Sequence, residues 1–478
     1  MNNIPNYIFE ILNLLEKNHF KAYIIGGAVR DFLLQKESKD WDLATNATPD
    51  EIQNIFPDSV YENTFGTVGI KIRLEEETKI VEVTTFRKDS LYEDNRRPKS
   101  VEYVNSLDDD VKRRDFTVNA MAMNHNLEIT DLINGKNDLE SKLIRTVGNP
   151  QERFSEDALR LLRAIRFATE LNFDIESETW KAIQNLAPSL STISQERIRD
   201  EFVKIIMTKD AMKGIQLLES SGLLQYIIPE LREGINVTQN GHHIYDVWEH
   251  LLRTMDYACY NNWSLDIRIA GLLHDIAKPR TKEGEGKYST FHNHEIVGAS
   301  MSYEILNRLR FPKKFAGRIS KLVRYHMFYY DTEDVTESSV RKLVYNVGTE
   351  NIKDLIKLRE CDRIGSGTPK ARPYRLRHFE YMAEKVITDP INLSMLKING
   401  DILIKDLKFK PGPTIGAILN VLLAEIIENP SLNNIDYLYK RARELEKENL
   451  SELKKQSLEI IKQTNFEQDL KIKQKYHV

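Results

Sequence analysis

The sequence predicts the α+β fold class, in which a mixed N-terminal region of about 145 residues precedes a remainder that is almost entirely helical. Residues 69–74 and 79–86 alternate apolar and polar side chains, as strands do, and the three glutamates at 75–77 fit a hairpin turn. After the Gly-Asn-Pro sequence at 148–150, apolar residues recur with the helical period and strand signals become rare. The 478 residues are enough for about three domains.

The other N-terminal elements follow from short local patterns. Residues 1–20 repeat apolar side chains at helical spacing and predict an amphipathic helix. Residues 21–25 form an apolar run that ends at a Gly-Gly pair, which indicates a strand followed by a tight turn. We expect a second helix over residues 28–35 and another strand over residues 40–45.

The helical remainder is divided by loop signals. Residues 156–171 carry apolar side chains at helical spacing, and a break follows near 234–241. A loop rich in glycine and charge runs from 278 to 286, and the Gly-, Ser- and Pro-rich stretch 365–373 is the clearest linker. A further helix is expected to open at Thr414.

Composition excludes several classes of protein. Charged residues make up 29% and hydrophobic residues 41% of the chain, which suits a soluble globular protein and not a disordered or membrane one. No secretory signal is evident at the start. The two cysteines, Cys259 and Cys361, can form neither a disulfide framework nor a zinc ribbon. We therefore expect a cytoplasmic protein with no membrane association.

Net charge alone argues against a nucleic-acid partner, but the charge is unevenly distributed. The whole chain carries −4, whereas residues 370–478 hold 19 Lys and Arg against 15 Asp and Glu. A polyanion would therefore be bound by a local surface and not by the chain as a whole.

Three carboxylates and a glycine turn predict a nucleotidyl-transfer site. Asp40 and Asp42 are two residues apart, so both point from one face if this stretch is a strand. Converging carboxylates are costly without a cation, and Mg²⁺ held by carboxylates and substrate phosphates suits such a pair. Glu82, on a later strand, could add a third carboxylate. The turn at Gly26 and Gly27, with the backbone N–H groups after it, could hold a triphosphate.

Neither feature is specific alone, because Asp-x-Asp is common in surface loops and Gly-Gly lacks the Walker A or Rossmann spacing. Specificity comes from further motifs in a fixed order: 26–31 (GGAVRD) with 40–42 (DWD), 113–122 (RRDFTVNAMA), 131–135 (DLING) with Asp138, Leu139 and Arg145, 156–160 (EDALR), and 196–201 (ERIRDE). This order resembles the polymerase-β-like nucleotidyltransferases, and more narrowly the class II tRNA nucleotidyltransferase and bacterial poly(A) polymerase family. The resemblance implies catalytic roles for Asp40, Asp42 and Glu82, with Mg²⁺ on Asp40 and Asp42. It implies nucleotide binding by Gly26, Gly27, Arg30, Arg114, Asp115, Asn119, Asp157, Arg160 and Arg163.

Asp157 and Arg160 are expected to read the base. On a continuous helix they are three residues apart and share one face. A carboxylate only accepts and a guanidinium only donates, so the pair could match cytosine and adenine and exclude uracil and guanine. The resembled family uses the matching residues as such a protein template. An ordinary helix ion pair is the alternative explanation.

A second set of candidate site residues, four histidines and two aspartates, lies in the helical region. The residues are His250, His274, Asp275, His294, His326 and Asp362. Imidazole and carboxylate bind divalent transition metals, and the adjacent His274 and Asp275 follow a helix that looks buried, where polar groups need partners. The pattern resembles the HD-domain phosphohydrolases, with His250, His274, Asp275 and Asp362 as the core set and His294 and His326 as ligands of a second metal. Lys278 could hold a phosphate.

Together the resemblances imply a polymerase-β-like nucleotidyltransferase head followed by an all-α neck, an HD body and a tail. The expected domains are the head at 1–148, a neck for base and RNA binding at 149–235, the HD domain at 236–368, and a helical, tRNA-binding tail at 369–478. The charged stretch 88–98 resembles a flexible loop that full CCA addition requires.

The function that the resemblance implies is addition of C, C and A to a tRNA 3′ end from CTP and ATP, with tRNA bound through its acceptor stem. A phosphatase or 2′,3′-cyclic phosphodiesterase activity is expected of the HD domain, whose one or two metals are transition metals or Mg²⁺. The alternatives are a poly(A) polymerase, an enzyme that adds only CC or only A, an HD phosphohydrolase whose head merely binds RNA, and a non-catalytic RNA-binding protein. Whether the chain is a monomer or a dimer stays open.

Overall fold

The structure is a computed structural model, and it describes residues 4–38, 40–63, 66–74, 77–89, 92–93, 97–98, 101–240, 244–328, 330, 336–387 and 390–461. The chain divides between Pro229 and Glu230 into two compact units. The first unit is α+β and the second is helical, so the predicted fold class is confirmed. Within the described ranges, no helix is both long enough and apolar enough to cross a membrane.

A seven-stranded mixed sheet forms the centre of the first unit. Its strands are β1 (Ala22–Ile25), β2 (Asp42–Thr45), β3 (Ser59–Asn63), β4 (Thr67–Arg73), β5 (Thr78–Thr85), β10 (Ala122–Met123) and β11 (Ile129–Thr130). They stand in the order β11-β10-β1-β2-β5-β4-β3. All neighbours are antiparallel except β2 and β5, which are parallel and pair Leu43 with Val83.

Shorter strands complete the first unit outside this sheet. They are β6 (Arg87–Asp89), β7 (Tyr92–Glu93), β8 (Arg97–Pro98), β9 (Val101–Tyr103), β12 (Leu143–Ile144) and β13 (Asp174–Ile175). Strand β6 pairs with β9, β7 with β8, and β12 with β13. The predicted flexible loop at 88–98 lies partly outside the described residues.

Helices cover the sheet and continue beyond it. The α-helices that begin in the first unit are α1 (Asn6–Lys17), α2 (Gly27–Leu33), α3 (Pro49–Ile55), α4 (Leu107–Lys112), α5 (Gly135–Glu140), α6 (Pro150–Glu156), α7 (Leu159–Leu171), α8 (Ser177–Leu186), α9 (Gln195–Ile206), α10 (Ala211–Ser220) and α11 (Pro229–Arg232). Short 3₁₀ helices occupy Thr117–Asn119, Ala187–Thr192 and Leu224–Tyr226.

The Gly-Asn-Pro sequence at 148–150 starts a helix as well as ending the α+β region. The Asn149 side chain accepts a hydrogen bond from the N–H of Gln151, and Pro150 occupies the first helical position. Asparagine caps and first-turn prolines satisfy or remove N–H groups that a helix end leaves without partners. The helix α6 therefore begins where sequence reasoning placed the change of character.

Two predicted elements differ from the structure. The strand expected over residues 40–45 begins only at Asp42. The helix expected over 156–171 is present as α7 but begins only at Leu159, because the backbone at Asp157 is extended and Glu156 is the last residue of α6.

The second unit is built from helices. They are α12 (Val247–Tyr260), α13 (Leu265–Leu273), α14 (Lys278–Thr281), α15 (His294–Arg308), α16 (Lys313–Tyr325), α17 (Glu337–Val347), α18 (Ile352–Gly365), α19 (Tyr374–Ile387), α20 (Gly400–Lys405), α21 (Pro413–Glu428), α22 (Ile435–Leu445) and α23 (Leu450–Ile461). Additional 3₁₀ helices are Gly286–Tyr288, Thr349–Asn351, Leu393–Met395 and Pro430–Leu432. The apolar α21 is the centre of a buried cluster that includes Leu403, Leu438 and Leu453.

Candidate functional site

One cavity in the first unit, of about 520 Å³, gathers most of the residues expected to bind a nucleotide. We call it the head cavity. Its walls come from the turn after β1, the segment before β2, the segment after α4, and α7. The predicted residues that line it are Gly26, Gly27, Arg30, Asp40, Asp42, Arg114, Asp115, Asn119 and Arg163. Glu82, Asp157 and Arg160 do not line it.

Asp40 and Asp42 both line the head cavity. Asp42 is the first residue of β2, whose other three residues are buried, and Asp40 precedes it by two positions. Burial against the cavity wall raises the pKa of Asp42, Arg114 lowers it, and the charge of Asp40 raises it again. A pair of mutually repelling carboxylates that faces a cavity fits a hard divalent cation such as Mg²⁺.

The glycine turn lies directly against this acidic pair. Gly26 has a φ of +73°, which is strained for any residue with a side chain. A Cβ atom at Gly26 would lie 3.7 Å from Nη1 of Arg114 and 3.9 Å from Oδ2 of Asp42. Bare backbone, a guanidinium and a carboxylate therefore meet at one point, which suits a ligand that carries phosphate groups and a cation.

Glu82 lies next to the acidic pair in the sheet. The β2–β5 register pairs Leu43 with Val83, so the preceding residues, Asp42 and Glu82, are neighbours on one side of the sheet. The side chain of Glu82 is exposed, and it is outside the lining of the head cavity.

A buried carboxylate that sequence reasoning missed holds the arginines of the 113–122 motif. Asp110 is 0% exposed, and its two oxygens lie 2.6 Å from Nη2 of Arg113 and 3.0 Å from Nη2 of Arg114. Burial would raise the pKa of Asp110, but the two guanidiniums outweigh it and lower the pKa. Asp110 is the last of three consecutive aspartates in the first turn of α4. Acidic residues are common in the first turn of a helix, so this position gave no reason to single out Asp110. Its spacing of three and four residues from the two arginines is the signal that could have found it.

Replacing Asp110 with asparagine is expected to lower the free energy of unfolding by about 3 kcal/mol at neutral pH, because two guanidiniums lose their shared buried partner. The folded-state pKa of Asp110 is depressed, so its stabilising contribution is present above the unfolded pKa of about 3.9 and is lost as the pH falls through the folded-state value. Urea denaturation should therefore show a large difference between wild type and variant at pH 7 and a smaller one in acid. Equal stability at pH 7 would show that Asp110 does not anchor the motif.

Two further contacts tie the motif to neighbouring helices. Nη1 of Arg30 donates to Oδ1 of Asn119 at 2.7 Å, and both residues are buried. Nη2 of Arg163 lies 2.5 Å from Oδ2 of Asp115. Burial opposes ionisation of Asp115, but the charges of Arg163 and Arg160 outweigh it and lower its pKa. The charged residues around the head cavity are therefore held in place before any ligand binds.

The helix α7 adds residues that sequence reasoning did not select. Arg166, Phe167 and Glu170 line the head cavity beside Arg163. The ring of Phe167 lies under the guanidiniums of three arginines, Arg166 at 4.2 Å, Arg163 at 5.4 Å and Arg30 at 5.5 Å. The spacing of Arg163, Phe167 and Glu170 is that of one helical face, which was the available signal.

The prediction that Asp157 and Arg160 share one helical face is wrong. Asp157 lies between α6 and α7 with φ −144° and ψ 105°. Its Oδ2 is 2.8 Å from Nη2 of Arg197, and its Oδ1 accepts the N–H of Leu159 at 3.0 Å. Arg160, in the first turn of α7, instead has its Nη1 at 2.5 Å from Glu156. An aspartate that bonds to the backbone two residues ahead favours such a break over a continuous helix.

In the second unit, the six predicted metal ligands converge. His250 lies on α12, His274 and Asp275 follow α13, His294 begins α15, His326 follows α16, and Asp362 lies on α18. None of the six is more than 7% exposed. We call them the His–Asp cluster.

The cluster consists of two groups that share Asp275. Oδ2 of Asp275 lies 3.0 Å from Nε2 of His250 and 3.2 Å from Nε2 of His274, and Oδ1 of Asp362 lies 3.5 and 3.6 Å from the same nitrogens. Oδ1 of Asp275 lies 3.2 Å from Nε2 of His294 and 3.3 Å from Nε2 of His326. One carboxylate thus contributes one oxygen to each group.

Hydrogen bonds fix the orientation of three imidazoles. His274, His294 and His326 each use Nδ1 toward the carbonyl three residues earlier, at 2.9, 2.6 and 2.6 Å. A carbonyl only accepts, so Nδ1 carries a proton, and in the neutral form of each ring Nε2 turns a lone pair into the cluster. In the described part of the chain, Oδ1 of Asp275 and Nε2 of His294 and His326 are buried without a hydrogen-bond partner. Lone pairs that face one another in a buried site fit a metal ion.

The charges of the cluster are strongly coupled. Burial would lower the pKa of His274, but Asp275 and Asp362 raise it to about 9. Burial alone would raise the pKa values of both aspartates, yet their cationic neighbours hold both well below the ordinary range. Burial lowers the pKa of His326 to about 4, so that ring stays neutral at physiological pH. The raised pKa keeps His274 protonated at physiological pH without a metal, and a divalent metal that binds there would displace its Nε2 proton, because metals bind neutral imidazole and ionised carboxylate.

A cavity of about 580 Å³ opens over the cluster, and basic residues line it. Nζ of Lys278 is 2.5 Å from Oδ2 of Asp275 and donates to Gln239 at 2.7 Å. Nη1 of Arg359 is 2.6 Å from Oδ2 of Asp362, and Arg363 also reaches the lining. Acidic ligands below and cations around the cavity suit a phosphate ester.

Family models match three parts of the chain. Residues 22–145 match the poly A polymerase head domain, residues 172–235 the probable RNA and SrmB- binding site of polymerase A, and residues 247–365 the HD domain.

Two relatives that match over nearly their whole length are named CCA-adding enzyme. The CCA-adding enzyme of Streptococcus gordonii is 33% identical over 92% of this chain and 98% of its own length. The CCA-adding enzyme of Leuconostoc mesenteroides is 32% identical over 91% of this chain and 95% of its own.

Solved structures agree. The crystal structure of the Bacillus stearothermophilus CCA-adding enzyme in complex with CTP has a TM-score of 0.68 at 26% identity, covering 92% of this chain and 96% of that one. The Thermotoga maritima CCA-adding enzyme complexed with tRNA_CCA shares the fold, with a TM-score of 0.54 at 20% identity, covering 92% of this chain and 95% of that one.

Proposed function

Because the chain belongs to the family of CCA-adding enzymes, we propose that it adds C, C and A to the 3′ end of tRNA, with CTP and then ATP as substrates. One observation supports this above the others. Asp40, Asp42, the turn at Gly26 and the guanidinium of Arg114 face a single cavity. Nucleotidyl transfer needs these groups together, since it joins a hydroxyl to an α-phosphate and releases pyrophosphate.

In this proposal Asp40 and Asp42 hold Mg²⁺, and Glu82 completes the acidic edge beside them. Mg²⁺ in such a site activates the attacking hydroxyl and stabilises the leaving pyrophosphate. The backbone at Gly26 and Gly27 admits the triphosphate closely, and Arg114 balances its charge. The remaining residues fix the nucleotide: Arg30, Asp115 and Asn119 support the ribose and phosphates, and Arg163 lies in the wall toward the base.

We further propose that Asp157 and Arg160, with Arg163, select the base. Cytosine and adenine both present an amino group beside a ring acceptor, whereas uracil and guanine present a carbonyl and a ring N–H. An aspartate accepts from the amino group and an arginine donates to the ring nitrogen. Although they do not share a helical face, both residues border the start of α7, the helix that forms one wall of the head cavity.

Asp157→Ala is expected to remove base choice while leaving addition itself measurable. Incorporation of UTP and GTP relative to CTP should rise about tenfold or more, because a lost charged hydrogen bond is worth 1.5–3 kcal/mol on general grounds. Asp174→Ala is the matched control, as Asp174 is exposed on β13. Normal rejection of UTP and GTP by Asp157→Ala would exclude the template role.

Product length separates the proposal from its nearest alternatives. With tRNA that lacks its last three nucleotides, we expect two added residues from CTP alone, three from CTP and ATP together, and no defined extension from ATP alone. A long ladder from ATP would indicate a poly(A) polymerase. A stop at CC, or growth only on a primer that already ends in CC, would indicate a partial enzyme. No extension at all would leave a phosphohydrolase with an RNA-binding head.

For the His–Asp cluster we propose a second activity, hydrolysis of phosphate monoesters and 2′,3′-cyclic phosphates at nucleic-acid ends. The buried lone pairs of Asp275, His294 and His326 that face one another support it. His250, His274, Asp275 and Asp362 would hold one divalent metal, and Asp275, His294 and His326 a second. Divalent metals lower the pKa of water and polarise phosphoryl oxygens. Lys278, Arg359 and Arg363 would bind the phosphate in the cavity above.

The partners and location follow from these activities. We propose binding of the tRNA acceptor stem by basic residues of the neck and the tail, where Arg375, Arg377 and Lys440 are candidates. The two cysteines are buried free thiols, which suits work in the reducing cytoplasm.

A further inference from the structure

Helix α19, outside the cluster, exposes an unusual row of rings. Tyr374 and Tyr381 are 62% and 60% exposed, and His378 lies between them. The ring of His378 is 5.8 Å from that of Tyr374 and 6.2 Å from that of Tyr381. The three residues stand at i, i+4 and i+7, so they follow one another along a single helical face. We call them the aromatic surface.

The buried side of α19 packs on a segment that leads to the cavity over the His–Asp cluster. Phe379, on the same helix, is 1% exposed, and its ring lies 4.5 Å from that of Phe328. Phe328 follows Met327, which lines the cavity. On the other side, Thr368 lines the cavity six residues before α19 begins. The segment that carries Phe328 and the segment that leads into α19 therefore both start at residues that line the cavity.

Positive charge is concentrated on the N-terminal side of these rings, whereas the exposed Glu384 follows Tyr381 by three residues. Lys370, four residues before α19, is exposed, as are Arg375 and Arg377 in its first turn. Arg363 on the cavity rim donates to the carbonyl of Lys370 at 3.2 Å. The acidic Glu380 is neutralised by Arg372. Exposed rings alternating with cations are the composition that holds single-stranded nucleic acid, because rings stack on bases and cations bind phosphates.

We propose that the aromatic surface binds the last bases of a single-stranded RNA 3′ end whose terminal phosphate lies in the cavity over the cluster. This rests on the proposed phosphohydrolase activity and deepens it: the preferred substrate is a polynucleotide end, such as an unfinished or damaged tRNA, and not a free nucleotide. A protein partner is disfavoured because cations flank the rings on the side that leads to a phosphate-binding cavity.

The test compares two substrates that end in the same group. One is the trinucleotide C-C-A with a 2′,3′-cyclic phosphate, and the other is the mononucleotide 2′,3′-cyclic AMP. In each, water adds across one P–O bond and leaves a monoester and a free hydroxyl. The full-length double variant Tyr374→Ala/Tyr381→Ala should raise KM for the trinucleotide about tenfold, as stacked bases contribute strongly to binding. For the mononucleotide KM should stay within about twofold, and Tyr260→Ala, at an 86% exposed tyrosine of α12, should change neither.

A direct binding measurement decides the proposal even if hydrolysis is absent. The trinucleotide with 2-aminopurine as its last base should lose fluorescence on binding to the wild type, because stacking quenches it, and the double variant should weaken both the quenching and the affinity. Failure of the wild type to hydrolyse either substrate would refute the proposed activity alone. Unchanged trinucleotide binding by the double variant, or equal KM effects on both substrates, would overturn the role of the aromatic surface.

Discussion

Asp42→Asn is expected to reduce nucleotide addition about a thousandfold, which corresponds to several kcal/mol of lost transition-state stabilisation. Asparagine has the same shape but no charge to hold a cation against the α-phosphate. Stability should not fall, because Asp42 is held at an elevated pKa by burial and by the charge of Asp40. Removing one of two negative charges that repel each other should leave the free energy of unfolding equal or slightly higher. Single-turnover addition of CTP to tRNA, measured with urea denaturation on the same sample, checks both.

The matched control is Asp58→Asn, in the same unit. Asp58 is exposed and pairs with Arg73 at 2.8 Å, away from the head cavity lining. Exposed pairs contribute little, so this variant should add nucleotides at the wild-type rate. Retention of activity within tenfold by Asp42→Asn would show that the acidic pair is not the catalytic centre.

The second large effect is expected for Asp275→Asn, which should abolish phosphohydrolase activity and remove metal from both groups of the His–Asp cluster. One carboxylate serves both groups through different oxygens, and the amide of asparagine is a weaker, neutral ligand. Metal content by elemental analysis should fall from two ions per chain toward none. CCA addition should stay within about twofold, because the head cavity is lined by residues before 172 and the cluster by residues after 239.

Two variants sharpen this result. His326→Asn should remove one ion and keep the other, since His326 belongs to one group. Asp401→Asn, at an exposed position of α20, should keep both ions and the activity. Full metal occupancy in Asp275→Asn would contradict the bridging assignment.

Local patterns predicted much of this architecture. Period-two alternation located β4 and β5, and the apolar run before Gly26 located β1, because both signals depend only on neighbouring residues. The helix predicted over 156–171 is present as α7, but it begins three residues later, at Leu159, for a physical reason. Periodicity runs through Asp157 unbroken, whereas the side chain of Asp157 bonds to the backbone ahead and ends the regularity.

Some residues of the two sites could be identified from sequence patterns, and others could not. The six cluster ligands could be named because histidine and aspartate are rare together in apolar helices, but their sharing of Asp275 depends on distances between helices. Asp110 and Phe167 escaped detection because each acts through packing: one is a buried anchor for Arg113 and Arg114, and the other lies beneath three guanidiniums. Sequence spacing does not encode such tertiary neighbours.

Selection of CTP and then ATP, followed by termination, can be measured by sequencing the product ends. The wild-type chain is given tRNA that lacks its last three nucleotides, Mg²⁺ and all four nucleoside triphosphates at equal concentration. We expect nearly all extended molecules to end in C-C-A, with no further growth. Ends rich in U or G, runs of A, or a uniform stop after C-C would contradict it.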